Sequence, residues 1–160
     1  MLLQEYTDAF STMIQQFQLT DEQLAYTGRP EMPIKISKAN SFIHPILGIE
    51  DELLTNFFVL DEKKDVALYT TNQQAVLLRT FSTDYRYQGK GYAKQVLQAL
   101  PYFIQTHFPN CNEIILAVNQ ENIAAQKLYE TTGFKQTEKI VQGEYGPLYV
   151  MTMSIETTEN

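Results

Sequence analysis

The sequence predicts a mixed α/β fold, a mostly antiparallel sheet flanked by helices. Three observations carry that expectation. Strand-like apolar runs follow one another directly between Pro45 and Leu60, the pattern of a hairpin. Strand and helix signals then alternate from Val76 to Thr132. Two more strand-like runs follow, Lys135 to Val141 and Leu148 to Ile155. Successive strands, then strand–helix–strand–helix, then strands again, imply one sheet mixed in strand direction.

In chain order, Leu2 to Glu5 reads as a short edge strand. Asp8 to Phe17 places Ala9, Phe10, Met13, Ile14 and Phe17 at helical spacing. Thr20 followed by Gln23 is a capping-box pattern, opening a short helix that reaches about Tyr26. Gly28, Pro30 and Pro33 read as a loop. Pro45 to Ile49 and Leu53 to Leu60 are the hairpin strands around the turn Glu50-Asp51-Glu52. Phe57, Phe58 and Val59 suit a strand buried on both faces. Asp61 to Asp65 reads as a solvated charged turn. After the strand Val76 to Thr83, the residues Ala93, Val96, Leu97, Leu100 and Ile104 form a helical stripe. Pro101 is expected to kink or split that helix, since proline removes a hydrogen bond and clashes with the preceding turn. Glu113 to Val118 is a short strand. Asn122 to Thr132 is a helix, with Gly133 as its left-handed end and Phe134 packing back. Gly143 and Gly146-Pro147 fall in the last turn, and Glu156 to Asn160 is expected to fray.

A chain of 160 residues with 44% apolar content is expected to form one domain with a real core. A formal charge of −7 argues against nucleic-acid binding driven by phosphate contacts. Cys111 is the only cysteine, which excludes an intrachain disulfide and a cysteine-based zinc site and suits a reducing cytoplasm. Nothing beside it suggests an activated thiol. Met1 to Glu5 lacks the basic flank and apolar run of a signal peptide. No apolar run approaches the ~20 residues that cross a bilayer, so no membrane partner is expected. His44 and His107 lie far apart in sequence and read first as surface or capping residues; no metal is expected.

The stretch Tyr87-Gln88-Gly89-Lys90-Gly91-Tyr92-Ala93-Lys94 joins a strand to a helix. Glycines let a backbone approach an anion closely, and a helix start points unpaired N–H groups at it. A Walker A loop would need Lys then Ser or Thr after its second glycine, but Tyr92 follows Gly91. A dinucleotide fingerprint would need a third small residue where Lys94 stands. What remains, Gln88-x-x-Gly91-x-Ala93, resembles the acetyl-CoA pyrophosphate loop of the GNAT superfamily of N-acetyltransferases. Asn122-x-x-Ala125-x-x-Leu128-Tyr129-x-x-x-Gly133-Phe134 resembles the second signature of that family.

The resemblance implies one N-acetyltransferase domain over residues 1–160, with its sheet splayed between two central parallel strands that end near Thr83 and Val118. It implies acetyl-CoA as co-substrate and a primary amine, on a small molecule or a peptide, as acceptor. The residues Gln88, Gly89, Lys90, Gly91, Tyr92, Ala93 and Lys94 would cradle the pyrophosphate. Phe81, Ser82 and Thr83 would border the pantetheine arm, with backbone groups of Phe81 and Thr83 offered to it. Asn122 would hold the cofactor as well as cap its helix. Tyr129 would contact the cofactor and protonate the departing thiolate, although on an apolar helical face it also reads as core. The general base is left open, with Asp84, Tyr85 or relayed water as candidates. Residues 1–40 are expected to carry acceptor-side helices and a loop, with Tyr26 and Phe42 setting acceptor preference. The glycine-loop wording and the acidic charge are similar to bacterial polyamine acetyltransferases. A homodimer is compatible with this reading. A catalytically silent acyl-CoA-binding module on the same fold is the alternative.

Overall fold

A computed structural model describes residues 1–157. Its strands are β1 (Leu2–Glu5), β2 (Ile43–Glu50), β3 (Leu53–Asp61), β4 (Ala75–Thr83), β5 (Glu113–Asn119), β6 (Lys135–Gly143) and β7 (Gly146–Ser154). They form one sheet in the order β1-β2-β3-β4-β5-β7-β6. Only β4 and β5 run parallel; every other neighbouring pair is antiparallel. The expected sheet is therefore the observed one.

Helices cover both faces. The helices α4 (Tyr92–His107) and α5 (Ile123–Thr131) lie on one face. There Val96, Leu97, Leu100 and Ile104 of α4 and Tyr129 of α5 pack against Ile46, Phe58, Leu78, Ile114 and Leu116. The short helices α1 (Ser11–Gln16), α2 (Asp21–Leu24) and α3 (Glu31–Ala39) belong to the N-terminal segment. Ile14 of α1 and Ile34 of α3, with Phe17, pack on Leu47, Phe57 and Val59, the opposite face of the same strands. β3 is buried at every position after Leu53, which explains its unbroken apolar run. Its hairpin with β2 turns through Asp51 and Glu52, both with positive φ (50° and 66°), the geometry that matches strand twist.

Four details depart from the sequence reading. Residues 31–39 form α3 rather than a loop. Pro33 sits in its first turn, where the missing N–H has no helical partner to lose. Asp8 to Phe10 is a 3-10 turn before α1, so one expected helix is two shorter pieces. Pro101 leaves α4 one unsplit helix. Leu97, Leu100, Phe103 and Ile104, on both sides of the proline, are buried and anchor the helix to the sheet. Finally, the turn after β3 is not simply solvated. Asp61 is fully buried and accepts hydrogen bonds from the N–H groups of Lys63 (2.9 Å), Lys64 (2.7 Å) and Asp65 (3.1 Å) and from Arg79 Nη1 (3.2 Å). A buried carboxylate needs this full set of donors.

The expected end of α5 is present. Gly133 has φ of 109°, and the Phe134 N–H returns to the Tyr129 carbonyl at 3.0 Å. Of the expected frayed tail, residues 158–160 lie outside the described residues. No helix among the described residues is long and apolar enough to cross a membrane.

Candidate active site

The site begins where the parallel pair comes apart. β4 and β5 pair only through Ala75↔Glu113, Val76↔Ile114 and Leu77↔Ile115. Beyond Leu77 the strands diverge, and a cleft of about 700 Å³ opens between them. Within β4, Thr80 has a positive φ of 55°, and the register with β3 shifts between Phe57 and Val59. A β-branched residue in the left-handed region is strained, and such strain persists only where the surroundings enforce it. The bulge turns the end of β4 away from β5.

One wall of the cleft is the donor side expected from the motifs. Phe81, Gln88, Ala93, Asn122, Ala125, Leu128 and Tyr129 line it. The turn itself sits at the mouth, with Gly89, Lys90, Gly91 and Lys94 exposed and Tyr92 half-buried; these five do not line the cleft. Gly89 and Gly91 adopt φ of 76° and 80°, and a Cβ on either would meet no atom within 4 Å. Glycine is required here by backbone conformation, and the loop faces open space. The first helical hydrogen bond of α4 runs from Gln95 N–H to the Gly91 carbonyl at 3.1 Å. The amides of Tyr92, Ala93 and Lys94 precede it and are free of the helix ladder. Backbone, space and helix start thus fit a diphosphate. Lys90 Nζ lies 6.0 Å from the Tyr87 ring centroid.

Asn122 caps α5, its side chain accepting from Ala125 N–H at 3.2 Å. Tyr129 is 9% exposed, with its ring edge-on to Phe81 (6.1 Å) and Phe134 (5.7 Å). Burial pushes its phenol well above the usual tyrosine value. It is at once a core residue and a cleft residue.

The opposite wall comes from the N-terminal segment and the β6–β7 turn. Gln23, Leu24, Tyr26, Thr27 and Gly28 contribute from the first, Glu144 and Tyr145 from the second, and Tyr69 from the loop after β3. Sequence reasoning found Tyr26 and missed Tyr69, Glu144 and Tyr145, which carry no motif. The segment is fastened to the end of β4. Gln23 completes the capping box with Thr20 and also donates from Nε2 to the Thr83 carbonyl at 2.7 Å. Buried Asp84 accepts from Gln18 N–H (2.9 Å), Arg86 N–H (2.9 Å) and Arg86 Nη2 (2.7 Å). Burial alone would raise the Asp84 carboxyl, but the Arg86 guanidinium and these amides outweigh it and hold it below its ordinary value. A carboxylate so saturated is a fastening, not the general base that its position after β4 suggested.

One further expectation shifts, that for Phe42. Phe42 does not line the cleft; it lies under Lys63 Nζ, 4.3 Å from its ring centroid, beside the Asp61 turn. His44 is not in the cleft either; its ring joins Glu5 (3.1 Å) and Glu62 (2.6 Å). Cys111 is buried, and burial pushes its thiol up, which removes it as a nucleophile.

An antiparallel sheet opened at its single parallel pair is the GNAT architecture that the two motifs implied. The family described as "Acetyltransferase (GNAT) domain" matches residues 36–155, most of the chain. The chain therefore belongs to the GNAT acetyltransferase family and is an acyltransferase. Over 122 residues, 76% of each chain, it is 38% identical to a Bacillus subtilis (strain 168) protein named as the N-acetyltransferase YbbJ. Over 60 residues it is 40% identical to the spermine/spermidine N(1)-acetyltransferase of the same organism, covering 38% of this chain and 39% of that one. Among solved structures, the aminoglycoside acetyltransferase AAC(6')-Ib in complex with coenzyme A superposes with a TM-score of 0.76 at 16% identity, covering 95% of this chain and 93% of that one. The spermidine N-acetyltransferase of Vibrio cholerae, in complex with CoA and spermine, gives 0.70 at 17% identity, covering 96% and 94%. At such identity these structures establish the shared fold alone.

Proposed function

We propose that residues 1–160 act as one domain that transfers the acetyl group of acetyl-CoA to a primary amine bound in the same cleft. The observation that carries this reading is the cleft itself, which has the glycine turn at its mouth and a buried tyrosine in its wall. Acetyl-CoA supplies an activated thioester. The chain's own groups supply position and protons. The amides from Gln88 to Lys94 and the start of α4 hold the diphosphate, with Lys90 and Lys94 adding positive charge at the mouth. The edge of β4 at Phe81 and Ser82, with the Thr83 N–H, holds the pantetheine arm in the manner of an added strand; the Thr83 carbonyl, expected to share that role, is taken by Gln23. Asn122 fixes the start of α5 and borders the cofactor, which places Tyr129 along the cleft. Tyr129 Oη keeps its proton at neutral pH and delivers it to the leaving sulfur.

The names of the relatives and structural neighbours support an amine acceptor, since they include enzymes of polyamines and aminoglycosides. The test is CoA release from acetyl-CoA across polyamines, aminoglycosides, amino acids and peptides, with products read by mass spectrometry. An acetylated amine and stoichiometric CoA are expected. CoA binding without release from any amine would make the protein a silent acyl-CoA module instead.

A further inference from the structure

β5 ends at Asn119, a cleft residue that ties together two elements reaching the cleft from different directions. Its side chain is buried, and both ends of the amide are used. Oδ1 accepts from the Glu121 N–H at 2.8 Å, just before α5. Nδ2 donates to the Tyr145 carbonyl at 3.0 Å, in the turn between β6 and β7. The partners fix which end is which, because a backbone N–H can only donate and a carbonyl can only accept. The Asn119 carbonyl is used as well. It accepts from the Asn122 N–H (2.9 Å) and from Gln126 Nε2 (3.2 Å) of α5.

The two elements differ in what else holds them. The start of α5 has further ties, from the Asn122 cap to the Ala125 N–H (3.2 Å) and from Gln126 Nε2 to the Gln120 carbonyl (2.9 Å). The β6–β7 turn stands beyond the ladder. Pairing of β5 with β7 ends at Asn119↔Leu148. Pro147 has no N–H to give, although its carbonyl accepts from the Gln120 N–H at 3.0 Å. Tyr145 lies further out and is exposed, on a turn closed by the pair Gly143↔Gly146. Asn119 Nδ2 reaches past the last pair and ties the tip of that turn to β5. Glu144 and Tyr145 of the turn line the cleft, as do Asn122 and Tyr129 of the α5 wall.

We propose that Asn119 is a positioning residue for the transfer, a role that rests on the transferase reading above. One side chain sets the spacing between the Glu144–Tyr145 turn and the start of α5, and with it the width of the cleft where the acceptor meets the thioester. The labour divides within the amide: Oδ1 serves the α5 wall and Nδ2 serves the turn. The two arms can therefore be cut separately.

Asn119→Asp, in the full chain, keeps the shape and the oxygen that faces Glu121. It puts a carboxylate oxygen against the Tyr145 carbonyl, acceptor against acceptor, and so releases the turn alone. The acceptor KM should rise about fivefold, the worth of one neutral hydrogen bond, with kcat and CoA affinity by calorimetry within about twofold of wild type. Asn119→Leu cuts both arms and should lower CoA affinity and kcat as well, because Asn122 and Tyr129 ride on α5. Tyr145→Ala removes the ring that the turn carries. If Asn119 acts through the turn, adding Asn119→Asp to Tyr145→Ala should raise the acceptor KM no further, a non-additive double-mutant cycle. Additive effects in that cycle, or an acceptor KM unmoved by Asn119→Asp, would overturn the proposal. So would an Asn119→Asp protein that does not fold, or one that loses kcat, CoA affinity and acceptor binding together, for Asn119 would then be structural. An active wild type with an unmoved KM in the variant is a failure of this proposal alone. A wild type that binds CoA and acetylates no amine is a failure of the transferase reading, and takes the proposal with it.

Discussion

β5 has two edges, and they differ. Toward β7 it is paired at every residue, from Glu113↔Ser154 to Asn119↔Leu148. Toward β4 it is paired only from Glu113 to Ile115, and the cleft occupies the rest. The same strand closes one edge for stability and leaves the other open for a ligand. Unpaired backbone groups within a sheet are costly unless something uses them, so an edge withheld from pairing is the functional one. Variants along the open edge should change binding or rate with little change in fold. Variants in what fastens its walls should do the reverse.

Tyr129 stands in the wall of the open edge and should give the largest effect. Tyr129→Phe keeps the ring that packs on Phe81 and Phe134 and removes only the proton. Turnover should fall about 100-fold, as for loss of a general acid, with acetyl-CoA affinity nearly unchanged. Because burial raises the phenol, no loss of activity from its ionisation should be seen between pH 7 and 9. A Tyr129→Phe enzyme of near-normal turnover, measured where chemistry limits the rate, would make the residue a packing residue only.

Asp84 belongs to the fastening of the wall. Asp84→Asn turns one acceptor oxygen into an amide donor among groups that are all donors, and should cost about 2 kcal/mol of stability at pH 7. The pH dependence has a definite sign. Its folded carboxyl lies below the ordinary value, so its stabilisation is present above the unfolded pKa of ~3.9 and is lost as pH falls through the folded value. Urea unfolding should therefore show the gap between wild type and variant narrowing below about pH 4. A gap constant with pH would mean that the charge of Asp84 does nothing for the fold.

How much of this was legible before the structure follows the same division. The donor wall announced itself because its chemistry is backbone chemistry, and a backbone at φ of 76° and 80° demands glycine at Gly89 and Gly91. Asn122 and Tyr129 were legible as members of a fixed spacing on one helix. The strands were legible from apolar runs, β3 above all. The N-terminal wall was not. α3 was hidden by Pro30 and Pro33, which read as loop residues although proline in a first helical turn costs nothing. Asp61 was hidden in a charge run, since nothing in Asp-Glu-Lys-Lys-Asp shows which carboxylate will be buried. Glu144 and Tyr145 come to the cleft only because β7 pairs with β5, a contact between distant parts of the chain. Phe42 was assigned to the acceptor side by its nearness in sequence to residues 1–40, but β2 carries that end of the chain to the Asp61 turn.

Gly91 offers a sharper test of the open edge than deletion would. In Gly91→Val the new Cβ meets no atom within 4 Å, so it brings no clash with the fold. The cost lies in holding a β-branched residue at φ of 80°, about 1–3 kcal/mol. The turn should reshape to escape it, and the amides that face the diphosphate move with it. CoA affinity should drop at least tenfold by calorimetry, while far-UV circular dichroism stays as in wild type. Full affinity in a folded Gly91→Val protein would remove the turn from the donor site.

The smallest expected effect concerns the wall that the sequence described least. Tyr26 follows α2, is 52% exposed and lines the cleft opposite Asn122 and Tyr129. Its neighbours there include Tyr69 and Tyr145, the latter 69% exposed. An exposed aromatic face can attract a cationic amine by about 0.5–1 kcal/mol, a factor of roughly two to five in binding. Tyr26→Ala should thus raise the acceptor KM by two- to fivefold, most for amines carrying a second positive charge, and leave kcat and acetyl-CoA affinity in place. Tyr26→Phe should keep the wild-type KM, because the ring and not the hydroxyl supplies the attraction. The α2 helix should survive both changes, since Thr20 and Gln23 hold its start and Gln23 ties it to Thr83. The comparison is sharpened if the ranking of acceptors changes in Tyr26→Ala with donor affinity constant, because the two walls of the open edge then read two different molecules. It breaks if donor affinity falls instead, for the N-terminal segment would then be part of the acetyl-CoA site and the cleft would have one function on both walls.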